Sequence, residues 1–230
     1  MSDPPRITDR DFFTGDAARL ARGLLGRVLV RRLETGETLA GVIVETEAYL
    51  GARDAASHAF GNRRTARTEP MFAQPGTAYV YFTYGMHHCM NVVCGQLGVP
   101  AAVLIRALRP IAGIERMRCN RFHDRGGAGA RDANLCSGPA KLCAALNIDK
   151  RLSGVDLVVS DELWLAELAD GWSPKPAAIA SGPRIGVEYA GEWAAKPLRF
   201  WVSGDANVSR PRAPRPRGKA DAGDSDQKPV

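Results

Sequence analysis

Residues 38–49 read Thr-Leu-Ala-Gly-Val-Ile-Val-Glu-Thr-Glu-Ala-Tyr, with two carboxylates and a tyrosine at alternate positions. The segment is rich in Val, Ile and Thr and predicts a long strand from about Thr38 to Tyr49. Side chains alternate across a strand, so Ile43, Glu45, Glu47 and Tyr49 share one face, and Val42, Val44, Thr46 and Ala48 the other. The second face is apolar or small and belongs against a core. The first then presents two acids beside an aromatic ring, groups able to take a proton or stabilise developing positive charge. A solvated sheet edge carrying two charges gives the same pattern, and spacing alone prefers neither carboxylate.

Aromatic residues are only 7% of the chain, yet Tyr79, Tyr81 and Tyr84, three of its five tyrosines, fall within six residues. Thr77 to Cys94 predicts a hairpin: Tyr79-Val80-Tyr81-Phe82 as one strand, Tyr84-Gly85-Met86 as the turn, and His87 to Cys94 as the return. Tyr79 and Tyr81 share a face opposite Val80 and Phe82, while His87, Cys89 and Asn91 share a face opposite Met90 and Val92. Cross-strand packing accounts for Tyr79 and Tyr81. It fits Tyr84 poorly, because a large ring at a turn reaches no core; a ligand for that ring is the better reading.

Other chemistries find less support. His87-His88-Cys89 invites a metal, but adjacent strand residues face opposite ways and no partner cluster stands elsewhere in the sequence. The zinc deaminase pattern, a nucleophile elbow, a P-loop and a dinucleotide-binding G-x-G-x-x-G after a strand are all missing. The cysteines, Cys89, Cys94, Cys119, Cys136 and Cys143, are odd in number and form no C-x-x-C pair, against a disulfide framework or a zinc ribbon. Taken alone, His58 reads as a structural histidine.

The elements that must position these residues are legible in outline. Ala17, Leu20, Ala21 and Leu24 repeat at helical spacing between a capping Asp16 and a terminating Gly26. Val28 to Arg32 predicts a strand, followed by a turn at Glu34-Thr35-Gly36-Glu37. Residues 51–70 read as a polar loop containing Arg63, Arg64 and Arg67. Val103 to Leu108 predicts a strand, with Pro110 in the first turn of a following helix. Residues 106–131 hold seven arginines against Glu115 and Asp124, and Gly126 to Gly129 within them predicts a loop. Ser137-Gly138-Pro139 opens a helix through Lys141, Leu142 and Leu146. Short strands are predicted at Leu157–Val159, Leu163–Leu165, Ile179–Val187 and Leu198–Val202.

The 230 residues, 45% hydrophobic and 24% charged, suffice for one ordinary domain with a full core. That domain is expected over residues 1–203, and 204–230 are expected to form a disordered, basic, Pro-rich tail, poor in large apolar side chains. The net charge of +6 favours a polyanionic partner. No apolar run approaches the ~20 residues of a membrane helix, and the N-terminus lacks the apolar stretch of a signal peptide. A soluble protein of a reducing compartment, cytoplasmic and without a membrane partner, is the expectation.

The run Val44-Glu45-Thr46-Glu47-Ala48-Tyr49-Leu50-Gly51, then His58, Pro75-Gly76-Thr77, Tyr79-Val80-Tyr81 and Tyr84-Gly85-Met86, resembles the alkyladenine DNA glycosylase family, the 3-methyladenine DNA glycosylases of mammalian type. Cys89-Met90-Asn91, Val103 to Ala107, Leu135 to Leu142, Gly191-Glu192-Trp193 and Lys196 to Phe200 continue the likeness, which covers roughly residues 8–203 in order. His87 and His88, aromatic in some relatives, and the Arg/Gly-rich stretch 116–131 depart from it.

The resemblance implies a single α/β domain of the α+β type, with a curved, mainly antiparallel sheet flanked by helices. It implies an enzyme, expected as a monomer, that flips damaged purines (alkylated, deaminated or etheno) out of double-stranded DNA and hydrolyses the N-glycosidic bond without metal or cofactor. Glu47 matches the general base, and Tyr49, His58, Tyr81 and Asn91 match the base pocket. Asn91 is placed to crowd a guanine 2-amino group. Tyr84, with Met86 beside it, matches the wedge that fills the vacated stack. Arg106 matches a DNA-binding residue near the flipped nucleotide, and Arg63, Arg67 and Lys141 are candidates for phosphate contact or for ordinary solvated charge. The competing expectation is a non-catalytic nucleic-acid-binding module on the same scaffold.

Overall fold

Two twelve-residue strands, β2 (Thr38–Tyr49) and β5 (Ala101–Ala112), run antiparallel through the middle of the computed structural model. The structure describes residues 4–122, 131–168, 171 and 173–209. In β2 only the end residues Thr38 and Tyr49 are partly exposed, so the strand is interior and not a solvated edge. Around this pair lie β1 (Val28–Arg32), β3 (Ala78–Thr83), β4 (His87–Cys94), β6 (Leu163–Ala166), β7 (Ile179–Gly182) and β8 (Arg199–Val202). Among the described residues the strand order is β3-β4-β5-β2-β1-β6, with β8 joining β2 and β7 joining β8. All these pairings are antiparallel. The free edge of β2 is shared: β1 pairs with Thr38–Val42 and β8 with Glu45–Glu47, so the sheet curls where one neighbour replaces the other.

One face of this sheet carries the main core. Helix α1 (Ala17–Gly23) starts at Asp16, whose carboxylate accepts from the Ala18 and Arg19 amides as an N-cap should. It buries Leu20 and Ala21 against Ile43, Val44, Ala48 and Phe200 in the main core, and Thr46 donates its hydroxyl to the Ala21 carbonyl at 2.8 Å. Helix α3 (Pro139–Ala145) covers β4 and β5, and helix α2 (Ile114–Phe122) packs on α3 and β2; Met117, Leu142 and Cys143 join Met90, Val92 and Ile105 in the main core. The result is the expected α+β arrangement, an antiparallel sheet flanked by helices.

Strict alternation along β2 fails at one point. Ile43 pairs with Leu108 and Glu45 with Ala107, so Val44 is an extra, bulged residue. Before the bulge, Val42 joins Val28, Val30, Ala40 and Trp164 in a separate cluster. After it, Val44 and Ala48 face the main core. The predicted faces are therefore each split, and Ile43 lies apart from Glu45 and Glu47. A matching irregularity on β5 skips Arg106, because Glu45 pairs with Ala107 and Thr46 with Ile105.

Four other expectations need correction. Pro110 lies inside β5, opposite Gly41 at an irregularity that skips Ile111, and α2 begins only after Gly113. Leu157–Val159 forms a turn, in which Asp156 accepts from the Val158 amide. The strand predicted for Ile179–Val187 ends at Gly182, because Pro183 has no N–H for the ladder. Folded structure continues past residue 203: Asn207 and Ser209 are buried and Asp205 pairs with Arg109. The loop at Gly126–Gly129 and the tail from 210 onward lie outside the described residues.

Candidate active site

The face of the sheet opposite the main core becomes a pocket because two loops fold over it. Beyond β2 the chain turns at Gly51 and runs through Asp54 to His58. From the other side, the segment after β7 brings Arg184 and Ile185 across. Arg184 clamps the two: its guanidinium donates to both Asp54 oxygens at 2.6 and 2.9 Å and to the Ala48 carbonyl at 2.9 Å, with both side chains fully buried. The same guanidinium lies 4.7 Å from the centre of the Tyr49 ring. Sequence reading missed this pair. Its visible trace is the Pro183-Arg184 step, where a strand pattern gives way to a charge.

Glu47, Tyr49, His58, Tyr81, Tyr84, Asn91 and Arg106 line one cavity of about 230 Å³ between the sheet and these loops. Glu47 is at its floor, with no solvent-accessible surface. Its Oε1 accepts from the Ile185 amide at 2.8 Å and pairs with Arg106 Nη1 at 3.0 Å; its Oε2 accepts from the Tyr49 hydroxyl at 2.9 Å. Glu45, equally buried, does not line the cavity: it accepts from Arg106 Nε, Arg199 Nη1, the Ser209 amide and the Ser209 hydroxyl. Of the two acids, only Glu47 faces the cavity.

The aromatic walls are held by polar contacts. Burial, and then the Glu47 charge, hold the Tyr49 hydroxyl well above the ordinary tyrosine range, so it serves as a donor. Burial does the same for Tyr81, and lifts Tyr79 to about 12. Asn91 Nδ2 donates to the Tyr79 carbonyl at 3.0 Å, which fixes the amide on the wall. His58 stands edge-on to Tyr81, with ring centres 4.6 Å apart. Burial, then the Arg67 charge, push its pKa down to about 4, so it is neutral at neutral pH. Arg67 Nη2 lies 3.3 Å from His58 Nε2, and a guanidinium can only donate. Nε2 is therefore the acceptor, and Nδ1 carries the proton toward the Tyr79 hydroxyl 2.8 Å away.

Arg106, expected at DNA, is only 6% exposed. Burial lowers its pKa, but Glu47 and Glu45 together outweigh that and raise it, so it is a fixed cation of the cavity wall. The β5 irregularity is what aims it at both acids. Tyr84 and Met86 protrude from the hairpin tip, 85% and 71% exposed. Tyr84 and Gly85 both take positive φ, 51° and 68°, as a primed hairpin turn requires, and the Met86 amide closes the turn on the Thr83 carbonyl. A tyrosine is an unfavourable choice for that backbone, and its ring borders the cavity mouth.

The remaining basic residues lie around this site. Arg67 is exposed, outside the cavity wall, with its guanidinium carbon 5.1 Å from the centre of the Tyr81 ring. Arg63 is exposed on the same loop. Lys141, on α3, donates to the Ser137 hydroxyl at 3.1 Å, two residues beyond Pro139 of the cavity lining. His87 and His88 take no part in the cavity lining, and among the described residues no cluster of three His, Cys, Asp or Glu is arranged to hold a metal ion. No described helix is long and apolar enough to cross a membrane.

Comparison with known proteins points to one family. The family described as methylpurine-DNA glycosylase matches residues 11–206. DNA-3-methyladenine glycosylase of Mus musculus is 50% identical over 202 residues, covering 86% of this chain and 60% of the mouse protein. The Homo sapiens protein of the same name is 49% identical, covering 86% of this chain and 66% of its own length. The chain thus spans about three fifths to two thirds of these mammalian relatives. It covers 98% of a Clostridium perfringens relative at 43% identity. By the extent of these matches, the chain belongs to the methylpurine-DNA glycosylase family.

Proposed function

We propose that this chain is a DNA repair enzyme that hydrolyses the N-glycosidic bond of damaged purines extruded from duplex DNA. The observation that carries the reading is a fully buried carboxylate, Glu47, at the floor of a cavity walled by Tyr49, Tyr81, His58 and Asn91. At about 230 Å³ the cavity is smaller than the ~300–1,000 Å³ of typical small-molecule pockets. Such a space suits one flat heterocycle. The names and family of the relatives support the same chemistry.

In this reading the base enters between the Tyr49 and Tyr81 rings. Purines alkylated at N3 or N7 are cationic, and an aromatic face attracts a cation by ~0.5–2 kcal/mol. Glu47 takes a proton from water as the water oxygen bonds to the anomeric carbon. The glycosidic bond breaks and its electron pair leaves with the base, which neutralises a cationic purine and makes it a good leaving group. The Glu47 charge also favours the oxocarbenium-like transition state. The Ile185 amide, the Tyr49 hydroxyl and Arg106 hold the carboxylate in place for this. Asn91 crowds the position of a guanine 2-amino group. Tyr84 fills the gap left in the stack, offsetting part of an unstacking cost of a few kcal/mol.

The test is strand cleavage at alkali-labile sites in a duplex carrying one hypoxanthine or 1,N6-ethenoadenine. Wild type should create such sites, and Glu47→Gln should lose ~10²–10⁴-fold in rate while still binding the duplex. Binding without cleavage by wild type, across these lesions and alkylated DNA, would leave the non-catalytic module as the function.

A further inference from the structure

Glu45 is a buried acid that the chemistry above does not use. Its Oε1 accepts from Arg106 Nε at 2.9 Å, Arg199 Nη1 at 3.1 Å and the Ser209 hydroxyl at 2.9 Å, and its Oε2 accepts from the Ser209 amide at 2.7 Å. The Ser209 hydroxyl also receives Arg106 Nη2 at 3.2 Å. Arg106 is therefore gripped on its Nε and Nη2 side, and only Nη1 is directed at Glu47.

That division has a chemical consequence. A guanidinium facing a lone carboxylate prefers a two-pronged pair that covers both oxygens. Glu47 already gives one oxygen to the Ile185 amide and the other to the Tyr49 hydroxyl. A second prong from Arg106 would compete with Tyr49 and with water for the remaining lone pairs. Glu45 prevents this by holding the other prong. Ser209 in turn satisfies Glu45 and fixes where it sits. This serine lies past the end of the family match at residue 206, in a segment whose composition reads as tail.

We infer that Glu45 and Ser209 are positioning residues for catalysis, a strap from the chain's C-terminal segment that restrains Arg106 and so keeps Glu47 free to act on water. The inference rests on the glycosylase reading. Glu45→Gln leaves Arg106 and Arg199 short of a counter-charge and endangers the fold, so variants of Ser209 carry the test. Ser209→Ala removes the hydroxyl and keeps the amide; Ser209→Pro removes both donors; Ser209→Thr keeps both.

The measurements are single-turnover excision of hypoxanthine at saturating enzyme, the Kd for the same duplex, and the Tm. The expected result is a rate loss on the order of 10²-fold for Ser209→Pro, the size a misplacement of about 1 Å produces. Ser209→Ala should lose roughly tenfold, the worth of one hydrogen bond to a charged group. Ser209→Thr should retain most of the rate, and Kd should stay within about twofold of wild type throughout, since none of these atoms is at the duplex surface. Full excision rates in Ser209→Pro overturn the inference, as do rate, affinity and Tm falling together, which would mean a purely structural strap. A wild-type chain that excises nothing overturns the glycosylase reading itself.

Discussion

Arg67 stands behind the Tyr81 ring, and its charge should select among lesions. The guanidinium carbon is 5.1 Å from the ring centre, and Arg67 does not line the cavity, so the ring separates it from a bound base. A purine stacked on the cavity side lies ~3.5–4 Å from the same ring, which puts the two charges ~9 Å apart for a cationic lesion. At an effective dielectric of ~20 the repulsion is ~2 kcal/mol, and the exposure of Arg67 argues for half of that, ~1 kcal/mol. Arg67→Gln should therefore raise the excision of 7-methylguanine relative to hypoxanthine about fivefold, while Arg67→Lys leaves the ratio within about twofold of wild type. Arg67→Lys, which keeps the charge, separates its effect from loss of the contact to His58 Nε2. Single-turnover rates on matched duplexes supply the measurement. The reasoning is refuted if both lesions slow equally and the salt dependence of binding becomes shallower, as loss of a phosphate contact demands.

Two further outcomes follow from the geometry. Tyr84→Gly should weaken lesion-duplex binding by ~1–3 kcal/mol, the worth of an aromatic stack on a base. Fold stability should hold or rise by up to ~1 kcal/mol, since the 51° φ that strains tyrosine suits glycine; a lower Tm alongside weaker binding would count against the wedge. His58 should stay neutral down to about pH 4 in an NMR titration of its ring protons. Its folded pKa lies below the unfolded ~6.5, so the unfolded chain takes the proton first. Stability is unaffected above that range and declines as pH falls from ~6.5 toward 4, and His58→Phe should flatten that decline in thermal melts recorded across pH.

What the sequence made legible was local, and what it hid was set by contacts across the fold. The boundaries of β1 and β2 and the Asp16 cap follow from residues next to one another, and these agree with the structure. The hairpin likewise announces Tyr84, because a ring beside a glycine at a turn is conspicuous in any context. The bulge at Val44 is different. Nothing in Val-Ile-Val-Glu marks an extra residue; only the register against β5 reveals it, and it moves Ile43 to the opposite face from Glu45. Pro110 misled for the same reason, since a proline near a helix start and a proline at a strand irregularity have the same neighbours in sequence. The Arg184–Asp54 clamp and the Ser209–Glu45 contact join residues more than a hundred positions apart, and no periodicity records them.

The two strand irregularities flanking Glu45 suggest why the site takes this form. The irregularity at Arg106 leaves Ile105 and Ala107, on either side of it, both buried in the main core. Arg106 leans across Glu45 toward Glu47, and two acids and two arginines (Glu45, Glu47, Arg106, Arg199) close into a cluster of zero formal charge. Such a cluster is a poor way to gain stability: apolar residues of similar volume in its place are commonly neutral or stabilising by ~1–4 kcal/mol. Its cost is carried by the main core on the other face of the same strands, where Val44, Ala48, Val103 and Ile105 are fully buried. One strand pair thus has a face devoted to packing and a face devoted to charge. The bulges set the point at which the first gives way to the second, and that point is where Glu47 meets the cavity.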